Sequence, residues 1–425
     1  MKKAIKILGV FSLFLTIGLM LIGCASNQTT ADPDGTFTVR FVDYDGTVLQ
    51  TTTCTVGVSC AIVPPTAPVN RGGNSNRVFT HWSVFSTEYA SLNSDTDIEA
   101  VYTLDRAIFT INGRAVVWYS VLIMAGIMTA FLIGMRESKR LGIDGDVLID
   151  GFLWIVPVAI LGARLWYVAF EFNAFVVQGD IGATLLKILG FQNGRLNFAE
   201  FGLAGLAIHG AFFTAVICAF FYSRKRKINL LQVADLVGAG FIVAQTFGRW
   251  GNFLNQEAHG GLVGGMTGLT ANWSLQQQYE FLRYTLHLPD FIVHNMYIIG
   301  NVFDATEPVT GFYHPTFLYE LLLNWIGFFV ILVLRRIKWF RFGEMMAFYL
   351  VWYGAVRIFI ETMRTDPLVY HIFGVTVKAA TTTSVLMILG GVALSLAIRL
   401  WWKGESYGTV PGHFVFRKKP QEIRG

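Results

Sequence analysis

The sequence predicts a polytopic α-helical membrane protein of about seven transmembrane helices, N-terminus out and C-terminus in, preceded by a small extracellular mainly-β module. Three observations predict it. Apolar residues make up 53% of the chain and charged residues only 14%, whereas a soluble domain carries about 25% charged residues. Apolar stretches of roughly 20 residues, the length that crosses a bilayer, recur through the last three quarters of the chain. Basic residues gather in short runs, such as SRKRK (223 to 227) and RRIKWFR (335 to 341), placed in alternate connections between those stretches. The net charge of +5 therefore reads as loop charge that fixes orientation. No nucleic-acid motif accompanies it, which excludes nucleic acid as a partner.

Residues 1 to 24 form a basic start followed by an apolar run that is short for a span and ends in small residues. This is a signal peptide pattern. Its end, Leu21-Ile22-Gly23-Cys24, is similar to a lipoprotein signal, in which the cysteine is lipidated and becomes the new N-terminus. An uncleaved anchor is the other reading, and both put the following residues outside the cell. Residues 25 to 35 are a polar linker.

From 36 to 104 the pattern changes to short alternating strands, with a hairpin signal at Asp45-Gly46. This module is similar to the small β repeat of bacterial surface proteins of the Listeria-Bacteroides type. Cys54 and Cys60 either bridge or remain two thiols. Nothing in the module reads as catalytic, and Asp43, Asp45 and His81 are expected to be solvated. What the module binds is left open. Cys218 reads as core packing, and no cysteine pair has the spacing of a metal site.

The seven spans fall near 115 to 135, 147 to 170, 203 to 222, 231 to 251, 316 to 334, 343 to 363 and 380 to 400, within a membrane domain of 105 to 410. A basic cytoplasmic tail, 411 to 425, follows. The longest connection, about 256 to 314, lies on the outer side. Loops of that length in a compact bundle are usually functional.

Polar groups inside apolar spans are costly unless something receives them. The stretch GRWGNFLNQEAHGG (248 to 261) places Arg249, Asn252, Asn255 and Glu257 at the end of the fourth span. At about 1.5 Å of rise per residue, Tyr119, Arg164, Tyr167, His209, His314 and Glu320 all fall in the outer half of the membrane. So do Tyr353, Arg357 and Glu361, which are spaced four apart and share one helix face, with Arg364 three residues on. Taken singly, each has a structural explanation as an interface aromatic or an ion pair. Scattered structural pairs would not collect at one depth. The set carries an excess of arginine, which suits an anionic lipid head group. The inner half holds only Asp150 and Asp235 near its end, which argues against a proton or ion path.

These motifs carry a specific resemblance. WY (118 to 119), LGARLWYVAF (161 to 170), LAIHGAF (206 to 212), GRWGNFLNQE (248 to 257), HPTFLYELLL (314 to 323) and YGAVRIFIETMRTDP (353 to 367) occur in order. From about 105 onward the chain resembles the prolipoprotein diacylglyceryl transferases of the bacterial plasma membrane. The resemblance implies a multi-pass enzyme that moves the diacylglyceryl group of phosphatidylglycerol to the lipobox cysteine in the signal peptide of a preprolipoprotein, with no metal or diffusible cofactor. Carried over by motif, His209, Arg249, Arg357 and Glu361 are expected in the chemistry. Tyr119, Arg164, Asn252, Glu257, Gly260 and Tyr353 are expected in binding. His209 is the expected base for the thiol, Arg249 and Arg357 the stabilisers of the leaving phosphate, and Glu361 the holder of Arg357. The chain departs from the family at Ala163, Trp166 and Ala204, at Gln256, where a glycine is usual, and at His259, where an aromatic is usual. The competing reading is a lipid or solute transporter with an outward anionic-lipid site, which calls for internal repeats and a second, inward-facing polar cluster; the sequence displays neither. A surface interaction protein on an inert bundle would leave the convergent polar set unexplained.

Overall fold

The computed structural model describes residues 35–68, 78–111, 114–177, 180–188, 191–192, 195–196, 208–301, 307–365, 369–372, 375–402 and 404–412. The signal-like segment with Cys24 and all but the last residue of the linker lie outside the described residues. Two compact bodies are formed. Of the described residues, the first takes those within 35–127, 243–326 and 352–388, and the second those within 128–242, 327–351 and 389–412.

The first body begins with a four-stranded sheet: β1 (Thr36–Val42), β2 (Val48–Thr55), β3 (Phe79–Trp82) and β4 (Thr96–Tyr102), in the order β2-β1-β4-β3. β1 and β2 form the antiparallel hairpin expected at Asp45-Gly46, where Gly46 takes φ +83°, a conformation that favours glycine. β1 and β4 pair in parallel. Alternation sends Phe37, Val39 and Phe41 of β1 inward to pack with Cys54, Ile62, Tyr89 and Ile98. It sends Arg40 outward, to pair with Asp97 at 2.6 Å. Cys54 and Cys60 form a disulfide, with Cα atoms 5.6 Å apart.

The long connection of 256 to 314 is a folded cap rather than an open loop. Ser274 and Gln277 form a reciprocal capping box that starts the helix Leu275–Glu280. Leu282, Ile292, Val293, Phe312 and Tyr313 build a core with Phe253 and Phe317. Phe85 of the β module belongs to that same core. His81 of β3 is buried beside it, stacked on Phe85 at 5.5 Å and packed by Tyr297, His294 and Phe312 at 4.5, 5.4 and 5.4 Å. This corrects the expectation that His81 is solvated. Alternation identifies the two faces of a strand but not what covers them, and the cap covers this one. Burial, with His294 alongside, pushes the His81 imidazole down to about 3. Asp43 is also buried, accepting from the Tyr102 hydroxyl at 2.8 Å; Asp45 is exposed as expected.

A second join lies where the module leads into the membrane domain. Asn295, fully buried, accepts from the Leu104 amide at 3.1 Å and donates to the Phe253 carbonyl at 2.7 Å. Gln256, at φ +55°, donates to the carbonyls of Asn295 and Tyr297 at 3.0 and 3.2 Å and lies 3.5 Å from the Arg106 guanidinium. The departure from glycine at 256 thus supplies a side chain that ties the module's exit to the cap.

Among the described residues seven long helices follow: α1 (Trp118–Leu141), α2 (Gly145–Phe170), α3 (Ile208–Arg226), α4 (Leu230–Asn255), α5 (Thr316–Leu334), α6 (Glu344–Glu361) and α7 (Ala379–Ala397, continued by a π turn to Trp402). Five of them, α1, α2, α4, α5 and α7 with its π turn, are long and apolar enough to cross a membrane. α3 and α6 occupy the third and sixth expected positions, but α3 ends in Arg224, Lys225 and Arg226 and α6 carries Glu344, Arg357 and Glu361. The first helix starts three residues later than expected, because Arg114–Val117 pair as a strand with Ala107–Ile111. Within the second body α2 and α3 cross closely at two glycines. A Cβ at Gly162 would meet Thr214 Oγ1 at 2.0 Å, and one at Gly210 would meet the Gly162 carbonyl at 2.5 Å.

Candidate active site

The polar set of the first body is assembled from the end of α4, the start of α5 and the last turns of α6. Arg249 and Asn252 are three apart on α4, so they share a face, and the guanidinium donates to Asn252 Oδ1 at 3.3 Å. Its Nη2 lies 2.9 Å from Glu320 Oε1 of α5. The other oxygen of Glu320 lies 3.8 Å from Arg357 Nη1, and Arg357 Nη2 lies 2.9 Å from Glu361 Oε2, one turn on along α6. Tyr353, one turn before Arg357, bonds Arg249 through its hydroxyl. The result is an alternating chain, Arg249, Glu320, Arg357, Glu361, threaded across three helices.

Glu320 is the centre of this chain and is 1% exposed. A carboxylate so buried is tolerable only when paired, and both its oxygens face guanidinium groups. The sequence reading places Glu320 at the right depth without giving it a role. Its presence changes the charge balance: the two partly buried arginines are matched by two buried carboxylates. Glu320 thus fixes Arg249 together with Asn252 and Tyr353, and Arg357 together with Glu361. Arg357 Nη1 is buried without a hydrogen-bond acceptor among the described residues, so a charged donor stands ready for an oxygen anion.

The surrounding frame is set by glycines. A Cβ at Gly251 would meet the Tyr119 ring at 2.4 Å, so Tyr119 lies directly on the α4 backbone beside Asn252. Gly260 and Gly261 run between two other segments. The Gly260 amide donates to the His314 carbonyl at 2.8 Å, the Gly261 amide to the Met363 carbonyl at 3.0 Å, and Gly260 bridges Arg364. A side chain at Gly260 would meet His314 Cβ at 2.8 Å and Thr316 Cγ2 at 2.9 Å. The reason for glycine here is close approach of backbones, not unusual φ. Glu257 is exposed, and its carboxylate accepts from Asn255 at 3.3 Å. His314 lies 3.3 Å from the Tyr319 hydroxyl, and burial lowers its affinity for a proton. His259, where an aromatic is usual, packs edge-on to Tyr313 and reaches Glu307 at 2.5 Å.

Arg164 and His209 belong to the second body. Arg164 is buried, with its guanidinium on the Ile188 and Lys187 carbonyls at 3.2 and 3.4 Å and over the Phe175 ring at 5.0 Å. These partners close the C-terminal end of the helix Ile181–Ile188, a placement that suits a cation. His209 lies in the first turn of α3, and its side chain is outside the described residues. No group of three or more His, Cys, Asp or Glu side chains among the described residues is arranged to hold a metal ion.

Fold and site together define a polytopic helical membrane protein with a buried arginine and carboxylate chain that can receive an anionic group. The family model for prolipoprotein diacylglyceryl transferase matches residues 106–397, and the chain belongs to that family. A phosphatidylglycerol--prolipoprotein diacylglyceryl transferase of Listeria monocytogenes serotype 4b is 37% identical over 315 residues, covering 73% of this chain and 97% of the relative. One from Halalkalibacterium halodurans is 34% identical over 327 residues, 77% of this chain and 96% of the relative. One from Streptococcus sanguinis is 37% identical over 278 residues, 65% and 89%.

Proposed function

We propose that this chain transfers the sn-1,2-diacylglyceryl group of phosphatidylglycerol to the lipobox cysteine thiol of a preprolipoprotein, forming a thioether and releasing glycerol phosphate. The observation that carries this reading is the pair of guanidinium groups held by Glu320, 2.9 and 3.8 Å from its two oxygens. Two fixed forks whose other edges are free of that carboxylate match the geometry of phosphate oxygens. In the reaction the cysteine sulfur bonds to the terminal glyceryl carbon while the bond from that carbon to the phosphate oxygen breaks. The electron pair leaves with the phosphate, whose charge grows in the transition state. Arg249 and Arg357, fixed in advance by Glu320 and Glu361, are the groups that stabilise that charge on this reading, and their fixed positions keep reorganisation small. Glu361 fixes Arg357, and Tyr353 fixes Arg249. The thiol proton must depart, because a cysteine of ordinary pKa near 8.5 is mostly protonated at neutral pH; His209 takes it. Tyr119, Asn252, Glu257 and Gly260 of the first body take the binding roles, and Arg164 of the second keeps the binding role that the family motif implies.

The experiment incubates the purified full chain with phosphatidylglycerol and a lipobox peptide and follows the peptide by mass spectrometry. A diacylglyceryl thioether that falls by about 10²- to 10³-fold with Arg249→Ala is expected. No product from a folded, lipid-binding protein would overturn the reading and favour a transporter. A near-normal turnover of His209→Gln would remove the base assignment alone.

The same reading puts the protein in the bacterial plasma membrane with seven spans, α3 and α6 included, the β module outside and the basic tail inside. It also takes Leu21 to Cys24 as a lipobox, which makes the chain a substrate of its own reaction. A mature protein that begins at Met1 with an unmodified Cys24 thiol would refute that part.

A further inference from the structure

A second basic cluster lies in the second body, apart from the residues used above. Glu137, just before the last turn of α1, is buried, and its Oε1 is taken by Arg140 at 2.6 Å from Nε and 2.5 Å from Nη2. Its Oε2 faces Arg335 Nη1 at 3.5 Å and Arg336 Nη2 at 3.7 Å, just beyond the end of α5. Those two separations exceed the roughly 2.7–3.2 Å of an N–H···O bond. The hydrogen bonds of the carboxylate thus go to Arg140, and Arg335 and Arg336 pair with it only at longer range, across gaps too wide for a hydrogen bond.

The other acceptors nearby do not fill them. Arg140 donates to the carbonyls of Arg335 and Pro411 at 3.0 and 3.3 Å, and Arg336 reaches the Gly412 carbonyl at 3.4 Å. Arg335 Nε is buried with no acceptor among the described residues, and the Arg335 side chain is only 12% exposed. Arg136 adds a further positive charge to the field at Arg336. Asp235, among the described residues the other acidic group near the cluster, is engaged by the Gly343 and Met346 amides at 2.8 and 2.9 Å and meets the cluster through the Tyr407 hydroxyl at 2.8 Å. Among the described residues, Arg140, Arg335 and Arg336, with Arg136 nearby, thus outnumber Glu137 and Asp235.

Charge that merely orients a membrane protein needs no burial, since a long side chain reaches water at the helix end. Cations at the C-termini of α1 and α5 also gain from the helix dipole, which accounts for Arg140 and its bond to the Arg335 carbonyl. Neither effect accounts for Arg335 and Arg336 turned toward a carboxylate already in use. We propose that Arg335 and Arg336, with Arg140 and Glu137 behind them, form a binding site for a phosphate diester, supplied by the head group of an anionic phospholipid. The cluster lies at the ends of α1 and α5, the part of a spanning helix that meets lipid head groups, and not in mid-span where a transport path would need it.

The test uses the full chain, delipidated in detergent and titrated with phosphatidylglycerol, with phosphatidylcholine, or with inorganic phosphate. Bound lipid is counted by native mass spectrometry and stability read as the thermal midpoint. The wild type is expected to retain one more phosphatidylglycerol than Arg335→Gln/Arg336→Gln. The midpoint rise with this lipid should fall by at least half in the variant, while diacylglyceryl transfer stays within about twofold. A rise with millimolar inorganic phosphate equal to that with lipid would replace the lipid source by a free phosphate and overturn the head-group assignment. Equal retention of both lipids by wild type and variant would overturn the site itself. If the double variant does not fold, Arg336→Gln, at a side chain 28% exposed, carries the same comparison with the same two outcomes.

Discussion

Glu320 decides how the two site arginines are presented. Changing it to glutamine keeps the shape but removes the charge that faces Arg249 at 2.9 Å and Arg357 at 3.8 Å. Breaking a buried pair from one side costs about 3–5 kcal/mol, and a misplaced catalytic group can cost as much as about 100-fold in rate. Glu320→Gln is therefore expected to lower the thermal midpoint and to reduce kcat at least tenfold, with the KM for phosphatidylglycerol changed far less. Steady-state kinetics on the folded variant check this, and an unchanged kcat would leave Glu320 a purely structural role. The pairing of Arg357 with Glu361 is legible in the sequence, because a spacing of four fixes two side chains on one helix face. The pairing of Glu320 with Arg249 is not, since no local rule says which helices meet. Gly260 is legible only as a motif position; its steric reason needs His314 and Met363, which come from elsewhere in the chain.

At the scale of elements, the join between β3 and the cap rests on a buried neutral histidine. The His81 proton affinity is held down to about 3 in the fold, against about 6.5 in an unfolded chain. Between these values the unfolded state binds the extra proton, so stability is lost as pH falls from about 6.5 toward 3, by up to about 1.4 kcal/mol per pH unit. His294, also held low by burial, adds in the same direction, while Asp290 beside it opposes. His81→Phe fills the same aromatic site without titrating. Hydrogen exchange over residues 290 to 312 should show opening that grows between pH 7 and pH 5 in the wild type and stays flatter in the variant; parallel pH profiles would contradict the assignment. A related test concerns Asn295. Asn295→Ala strands the Leu104 amide and the Phe253 carbonyl, each costing about 1–3 kcal/mol when buried, and faster exchange at 104 and from 253 to 257 should follow. Helices were readable from apolar length alone, whereas the cap was not, because its elements are short and held by tertiary contacts rather than by periodicity.

At the scale of the molecule, the family match covers 106–397, and the β module stands ahead of it yet shares a core with the cap through Phe85. A variant lacking residues 36 to 104 should consequently expose Tyr297 and Phe312 and lose stability. With a buried Phe worth about 3–5 kcal/mol, the thermal midpoint should drop by roughly 5–10 °C. An unchanged midpoint would mean that the shared core contributes nothing. The shared core also has a consequence in time. The Leu104 amide and its partner Asn295 are 191 residues apart, and synthesis at about 5–20 residues per second separates them by about 10 to 40 s. During that interval the sheet is complete while α1 to α4 are still being made, and the Phe85 and His81 face has no cap to cover it. The nascent chain thus passes through a stage with an aromatic surface waiting for a partner that does not yet exist, and the cap reaches a sheet made long before it.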